Sequence, residues 1–215
     1  MMKRLIITAI CVILSLGAHA KSMEEIWGCI PDSIIPYIDR AHRVQMTEYI
    51  RMGLKGDVDN SLAGKSVIDT LTADYIHLTL NESAIMELKK LPWNDSDSLL
   101  CVVTTWKGPA EESTVRFYSQ DWKAINLPNA FNGKNFANLA DNLTQKPDTM
   151  DEKRFSELRS MIDPVIVGAH LSPSNNQLKV RLALPLLSGD DKTAVESIMH
   201  EVVLSWNGIG FQKVG

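Results

Sequence analysis

Cysteine is nearly missing from this chain, with three residues in 215. So small a supply excludes a disulfide-dense miniprotein, which needs several bridges to support a short core. A basic tract is also missing. Lys and Arg total 22 against 26 Asp and Glu, a net charge of −4, which argues against a nucleic-acid binder that works by neutralising phosphates. Beyond the first twenty residues there is no long uncharged run, so a multi-span membrane protein is excluded as well. The remaining balance, 45% apolar and 22% charged, belongs to a globular chain and not to a disordered polar one.

Recognised active-site motifs are absent too. Gly64-Lys65-Ser66 has the ending of a phosphate-binding loop, but Asp59 stands five residues earlier where that loop needs glycine. An acid there would repel phosphate. Asp57-Val58-Asp59-Asn60-Ser61 begins like a calcium loop, yet Leu62 occupies the glycine position and Ile68 the closing glutamate position. A solvated turn is the expected structure of this stretch. His200-Glu201 starts a zinc-protease pattern whose second histidine is replaced by Leu204. His42, His77, His170 and His200 show no i, i+3 or i, i+4 pair that would place two metal ligands on one helix. Asp163, His170 and Ser172 have triad chemistry, but nothing in their spacing fixes a triad geometry. The expectation is therefore no catalytic set, no metal and no cofactor.

What is present begins with an export signal. Lys3 and Arg4 precede the uncharged run from Leu5 to Leu16, and Ala18-His19-Ala20 supplies the small residues of a cleavage site. Twelve residues are too short to span a bilayer, which takes about 20. Cleavage after Ala20 would leave Lys21–Gly215 without a spanning segment and, with Lys3 and Arg4 gone, a net charge of −6. A chain of that length buries about 70% of its unfolded surface. Export makes a Cys29–Cys101 disulfide chemically possible. Cys101, however, sits in Leu99-Leu100-Cys101-Val102-Val103, which suits a buried free thiol equally well.

The patterning predicts an α+β fold: N-terminal helices, a mainly antiparallel sheet, then a smaller helix-plus-hairpin unit packed on it. Ser22 and Glu25 form a capping box for a first helix that Pro31 ends, and Asp39 caps a second running to Met52. Strands are expected at 67–71, 75–80, 84–89, 99–106 and 113–118, separated by turn residues. Residues 21–125 thus form a helix pair with a meander. Residues 126–148, rich in asparagine and with Phe136, Leu139 and Leu143 at helical spacing, form a connecting segment. Residues 149–215 add a helix opened by a Thr149–Glu152 capping box, a hairpin, a helix capped by Asp190-Asp191 and a terminal hairpin; the whole of 21–215 can equally be one continuous domain. The Asn207-Gly208 turn pairs Val202, Leu204 and Trp206 with Ile209, Phe211 and Lys213, against a competing pattern that extends the helix through Trp206. A weak echo at an offset of 93 aligns His77-Leu78 with His170-Leu171 and Leu91-Pro92 with Leu184-Pro185.

Several of these stretches match a known family: Pro31-Asp32-Ser33-Ile34-Ile35-Pro36-Tyr37-Ile38, Leu71-Thr72-Ala73-Asp74-Tyr75, Ser113-Thr114-Val115-Arg116-Phe117-Tyr118 ahead of Trp122, and Trp206-Asn207-Gly208 ahead of Phe211. With Gly64-Lys65-Ser66 and Leu184-Pro185-Leu186-Leu187-Ser188 they make the chain resemble, over nearly its whole mature length, a family of exported Bacteroidales proteins classed as a domain of unknown function. That resemblance carries no catalytic or binding residue across. It implies a Gram-negative envelope, hence the periplasm or the outer surface. It also implies O-glycosylation on Asp-Ser/Thr-apolar tripeptides, for which Ser98 and Thr149, beside turns, are the candidate acceptors.

Trp93, Trp106 and Trp122 all fall at predicted strand ends, where three rings at one rim would suit stacking on a sugar or anchoring a partner. The first functional expectation is therefore a non-enzymatic envelope module that binds a protein, peptide or glycan through sheet edges and aromatics. The alternatives are a periplasmic hydrolase using His42, His77 or His170 beside a carboxylate, and a structural envelope component.

Overall fold

The computed structural model describes residues 21–94, 97–131, 142–184 and 187–213. The export segment with its Ala20 cleavage point, most of the asparagine-rich stretch including Phe136 and Leu139, and Pro185 of the internal echo lie outside the described residues.

The chain opens with helix α1 (Met23–Gly28), capped reciprocally by Ser22 and Glu25, and α2 (Arg40–Arg51), whose first turn is closed by the Asp39 carboxylate on the His42 N–H. A seven-stranded antiparallel meander follows: β1 (Gly56–Asp59), β2 (Lys65–Leu71), β3 (Tyr75–Asn81), β4 (Ala84–Trp93), β5 (Asp97–Trp106), β6 (Glu112–Tyr118) and β7 (Ala124–Ile125), neighbours in space in the order of sequence. Helix α3 (Glu152–Ser160) leads into a second sheet of β8 (Ile166–Leu171), β9 (Gln177–Ala183), β10 (Val202–Trp206) and β11 (Phe211–Lys213), ordered β11-β10-β9-β8, with α4 (Gly189–Glu196) between β9 and β10. The α+β expectation holds, and so does the terminal hairpin, with Trp206 opposite Phe211. Gly208 takes φ +97 in its turn, a conformation that costs only glycine little. Gly210 has no room for a side chain, since a Cβ would fall 2.7 Å from the Asn129 carbonyl.

The large sheet is buried on both faces, which explains the unbroken apolar run through β5. Leu100 and Val102 join a core beneath α1 and α2, while Leu99, Cys101 and Val103 face a core shared with the small sheet. The small sheet meets the large one along β8, whose successive residues touch successive strands. Gly168 lies against Glu111. Ala169 is bonded by Ser113 and Thr105, His170 reaches Glu87 on β4, and Pro173 just beyond β8 receives Lys89. The outward backbone groups of Ala169 in β8 are thereby met by hydroxyls, with the Ala169 N–H donating to Ser113 Oγ at 2.9 Å. Ser113→Ala would strand that buried donor and should cost about 1–3 kcal/mol in urea denaturation; an unchanged midpoint would show that the edge is held elsewhere.

Three local expectations need correction. Asp57 to Asp59 is strand, not a solvated turn: Gly56 packs under α2 against Ile50 and the Met46 carbonyl, and Val58 is buried. Pairing with β2 overrides the poor strand propensity of aspartate. The cap of α3 is Asp151, on the Arg154 N–H, and not Thr149. Helix α4 starts at Gly189 after Ser188, so Asp190 and Asp191 lie in its first turn, where they complement the helix dipole. The echo at 93 residues coincides with the β3–β4 and β8–β9 hairpins, but the next elements, β5 and α4, differ in kind.

Candidate functional site

The two sheets meet in a charged seam that the sequence reading did not find. On β4, Glu87 and Lys89 alternate with apolar residues and point toward the small sheet, and both are almost wholly buried, at 3% and 1% exposure. Lys89 donates to the Asp74 carboxylate at 2.9 Å and to the Pro173 carbonyl at 3.0 Å, above the Tyr75 ring. Burial works to raise the Asp74 carboxyl, but hydrogen bonds from Lys89 and Thr72 outweigh it and hold that carboxyl below its ordinary range. Tyr75 donates its phenol to Glu87 at 2.8 Å; burial and that neighbouring carboxylate push the phenol up.

Glu87 also holds the ring of His170, whose Nδ1 lies 3.1 Å away, while Nε2 lies 3.5 Å from Glu111. The hydrogen bond to Glu87 raises the His170 imidazole above its ordinary value, burial opposes the rise, and Glu111 adds to it. Glu111 is in turn bonded by Arg181 of β9, which holds its carboxyl low against the effect of burial. Charge thus alternates from the interior outward: Glu87, His170, Glu111, Arg181. With both ring nitrogens engaged by carboxylates and the imidazolium favoured, His170 is arranged as a cationic clasp between two sheets. A general base needs a free ring nitrogen in the neutral form, which His170 does not have in this clasp.

The outer end of this chain opens into a cleft of about 520 Å³, whose walls include Glu111, Arg181, Lys192, Glu196, His200 and Glu201. Its origin is topological. Pairing between β9 and β10 stops at Val180 opposite Val202, although β9 runs on to Ala183. The chain before β10 turns away instead, and Met199 bridges to Thr144 with His200 N–H donating to the Leu143 carbonyl. That divergence leaves the β10-side edge of β9, from Arg181 to Ala183, along the cleft. His200 Nδ1 and Thr144 Oγ1 are buried beside this bridge without a hydrogen-bond partner among the described residues.

The expected aromatic rim does not form. Trp93 pairs with Asp97 and Trp106 with Ala84, at opposite ends of the β4–β5 hairpin, about 30 Å apart at 3.3 Å per residue. Trp93 packs against the core shared with the small sheet. Trp122 is buried in the helix-side core, its indole donating to the Ile26 carbonyl, and only Trp106 is substantially exposed, at 45%. Cys29 and Cys101 are both free thiols, one exposed and one buried, so the disulfide does not form. Burial, reinforced by Glu87, pushes the Cys101 thiol up and out of nucleophilic range. Ser98 is half-buried in β5, with its hydroxyl receiving the Gln120 amide; Thr149 is exposed in a turn. His42 faces Asp39 at its helix start, and His77 faces Asp69 at 3.1 Å. The Asp163–His170–Ser172 set is not assembled, since the partners of His170 are Glu87 and Glu111. Among the described residues no group of His, Cys, Asp and Glu could hold a metal ion, and no helix is long and apolar enough to cross a membrane.

Fold and seam define a two-sheet α+β protein joined by a buried ionic network. The chain belongs to a family described as a protein of unknown function, DUF3256, which matches residues 15–211. It is similar in fold to a solved domain of an uncharacterized protein from Porphyromonas gingivalis W83, with a TM-score of 0.73 and 20% identity, over 91% of this chain and 100% of that one. No curated protein matches the chain in sequence.

Proposed function

We propose that this protein is an exported, non-enzymatic binding module of the cell envelope, and that it captures an extended segment of another protein along the open edge of β9. The observation that carries this reading is the early end of the β9–β10 ladder at Val180, which leaves the Leu182 N–H and C=O, facing away from β8, without a β10 partner along a 520 Å³ cleft. An unpaired strand edge offers backbone donors and acceptors to an incoming strand. On the β8 flank of this sheet, Ser113 and Thr105 occupy the outward backbone groups of Ala169. Export follows from the basic start, the apolar run and the Ala18-His19-Ala20 ending.

Capture by strand addition depends on main-chain hydrogen bonds at alternate positions of the added segment. Alternating Thr/Val octapeptides, labelled for fluorescence polarisation, should bind the mature protein. N-methylation of one alternate set of peptide nitrogens should abolish that binding, and methylation of the other set should not. If no octapeptide binds, or both methylated sets bind like the parent, the strand-edge reading is wrong.

A further inference from the structure

Resting on the export part of that reading, we propose that the turn between β6 and β7 is a binding site for the chain's own new N-terminus: cleavage after Ala20 frees the Lys21 amine, and Gln120 holds it as an α-ammonium.

The first residues of a domain are poorly ordered unless something ties them down. Lys21, which opens the mature chain, is tied at each of its polar groups. Its backbone nitrogen donates to Gln120 Oε1 at 3.1 Å, and its carbonyl accepts from Lys90 Nζ at 2.7 Å. Its Nζ reaches Asp121 Oδ1 at 2.5 Å and the Gln120 carbonyl at 3.5 Å. These contacts join residues 69 to 100 positions apart, so the neighbouring capping box of α1 does not account for them. The turn itself is held under strain. Trp122 takes φ +62, a costly conformation for a bulky residue, and its indole donates to the Ile26 carbonyl of α1.

The Gln120 amide is oriented for a cation. Its Nε2 donates to Asp97 Oδ1 at 3.0 Å and to Ser98 Oγ at 3.2 Å, which leaves Oε1 for the Lys21 nitrogen. The amide dipole thus turns its negative end to that nitrogen, with a carboxylate behind it. Hydrolysis of the Ala20–Lys21 peptide bond by an export endopeptidase adds one water across it. The leader keeps a carboxylate and Lys21 gains a primary amine, mostly protonated at pH 7 because its ordinary pKa is about 7.7–8.0. A nitrogen that gave one neutral hydrogen bond then carries three donors and a full charge, and charge-assisted bonds are the stronger ones. The surroundings tolerate that charge. Carboxylates of Glu25, Asp97 and Asp121 stand against the side-chain ammonium groups of Lys21, Lys90 and Lys123, so the site is not already positive.

The test compares the chain that starts at Lys21 with one that starts at Ala18, each released from a cleavable fusion without extra residues. In calorimetry at pH 7 the Lys21 chain should melt about 2–4 °C higher, the shift for one hydrogen bond becoming charge-assisted. Gln120→Ala should lower both melting points and erase the difference between them. Acylation of the α-amine, followed by mass spectrometry, reads the same contact in the parent alone. It should run about tenfold slower in the Lys21 chain than in the Ala18 chain, the scale of one such bond. If the two chains melt and react alike, or if their difference survives Gln120→Ala, docking at Gln120 is overturned while export stands. The start of the exported protein is checked separately, by its intact mass after secretion from a bacterial host under its own leader. A start other than Lys21 would overturn the export cleavage, and the docking would lose its ligand with it.

Discussion

Replacing Phe211 with alanine should lower the unfolding free energy by about 3–5 kcal/mol, the usual cost of truncating a buried aromatic. Phe211 is 1% exposed and lies at the meeting point of three other rings. It stacks on Phe131 at 5.9 Å, takes Trp206 edge-on at 5.2 Å and approaches Phe117 at 6.5 Å. Such pairs add about 0.5–1.5 kcal/mol each beyond area burial. The surroundings are poorly placed to collapse into the gap: Trp206 is tied to the Pro92 carbonyl through its indole at 2.7 Å, and the Phe211 N–H itself is bonded to Ala130. At about 2–4 °C per kcal/mol for a chain of this size, the melting temperature should fall by roughly 6–20 °C. Urea denaturation checks the free energy and calorimetry the melting point. A loss below about 1 kcal/mol would mean that β11 is a frayed appendage and not a member of the shared core.

That prediction depends on a hairpin which the residues announced. Asn207-Gly208 marked its turn, and alternation in Val202, Leu204 and Trp206 marked its buried face. The Ser22–Glu25 box, the Asp39 cap and the alternating β3 were equally legible, because each depends on residues a few positions apart. Where a feature depends on what packs over it, local reading failed. Nothing within Asp57-Val58-Asp59 says strand; α2 above Gly56 and β2 beside it make it one. Asp151 wins the cap of α3 over Thr149 although both precede acidic or polar turns.

The candidate site was the least legible part. Its members come from β3, β4, the turn before β6, β8 and β9, and the His170–Glu87 contact joins residues 83 positions apart. One signal was available. Glu87 and Lys89 interrupt a strand whose one other charge is Lys90 on the opposite face, and two charges at spacing two share a face. Buried charges need partners, so that pair already demanded a polar surface on whatever covers β4. The tryptophans misled for the converse reason. Ends of consecutive strands alternate between the two ends of a meander, so Trp93 and Trp106 mark opposite rims.

Removing the Glu87 carboxylate should therefore have the second large effect. Glu87→Ala leaves the Tyr75 phenol and the His170 Nδ1 facing a void where a buried carboxylate stood. Stranding both groups should cost about 2–5 kcal/mol at neutral pH. The double variant Glu87→Leu, His170→Leu should recover part of that loss, because an apolar pair of similar volume strands neither partner. In a double-mutant cycle of Glu87→Gln with His170→Gln the two costs should fall short of additivity by more than about 0.5 kcal/mol; simple additivity would show that the two side chains do not act as a pair. The same pairing fixes the pH response. The folded-state value of His170 lies above its ordinary 6.5, so its contribution is complete below about pH 6.5 and is lost as pH rises through the higher folded value. Glu111, held below its ordinary 4.5, contributes above about pH 4.5 and is lost as pH falls through the lower folded value. Stability followed by urea denaturation across pH should decline on the alkaline side of that interval, and His170→Gln should flatten the decline. An alkaline decline of unchanged size in His170→Gln would assign it to another group and reduce the clasp between the sheets to packing alone.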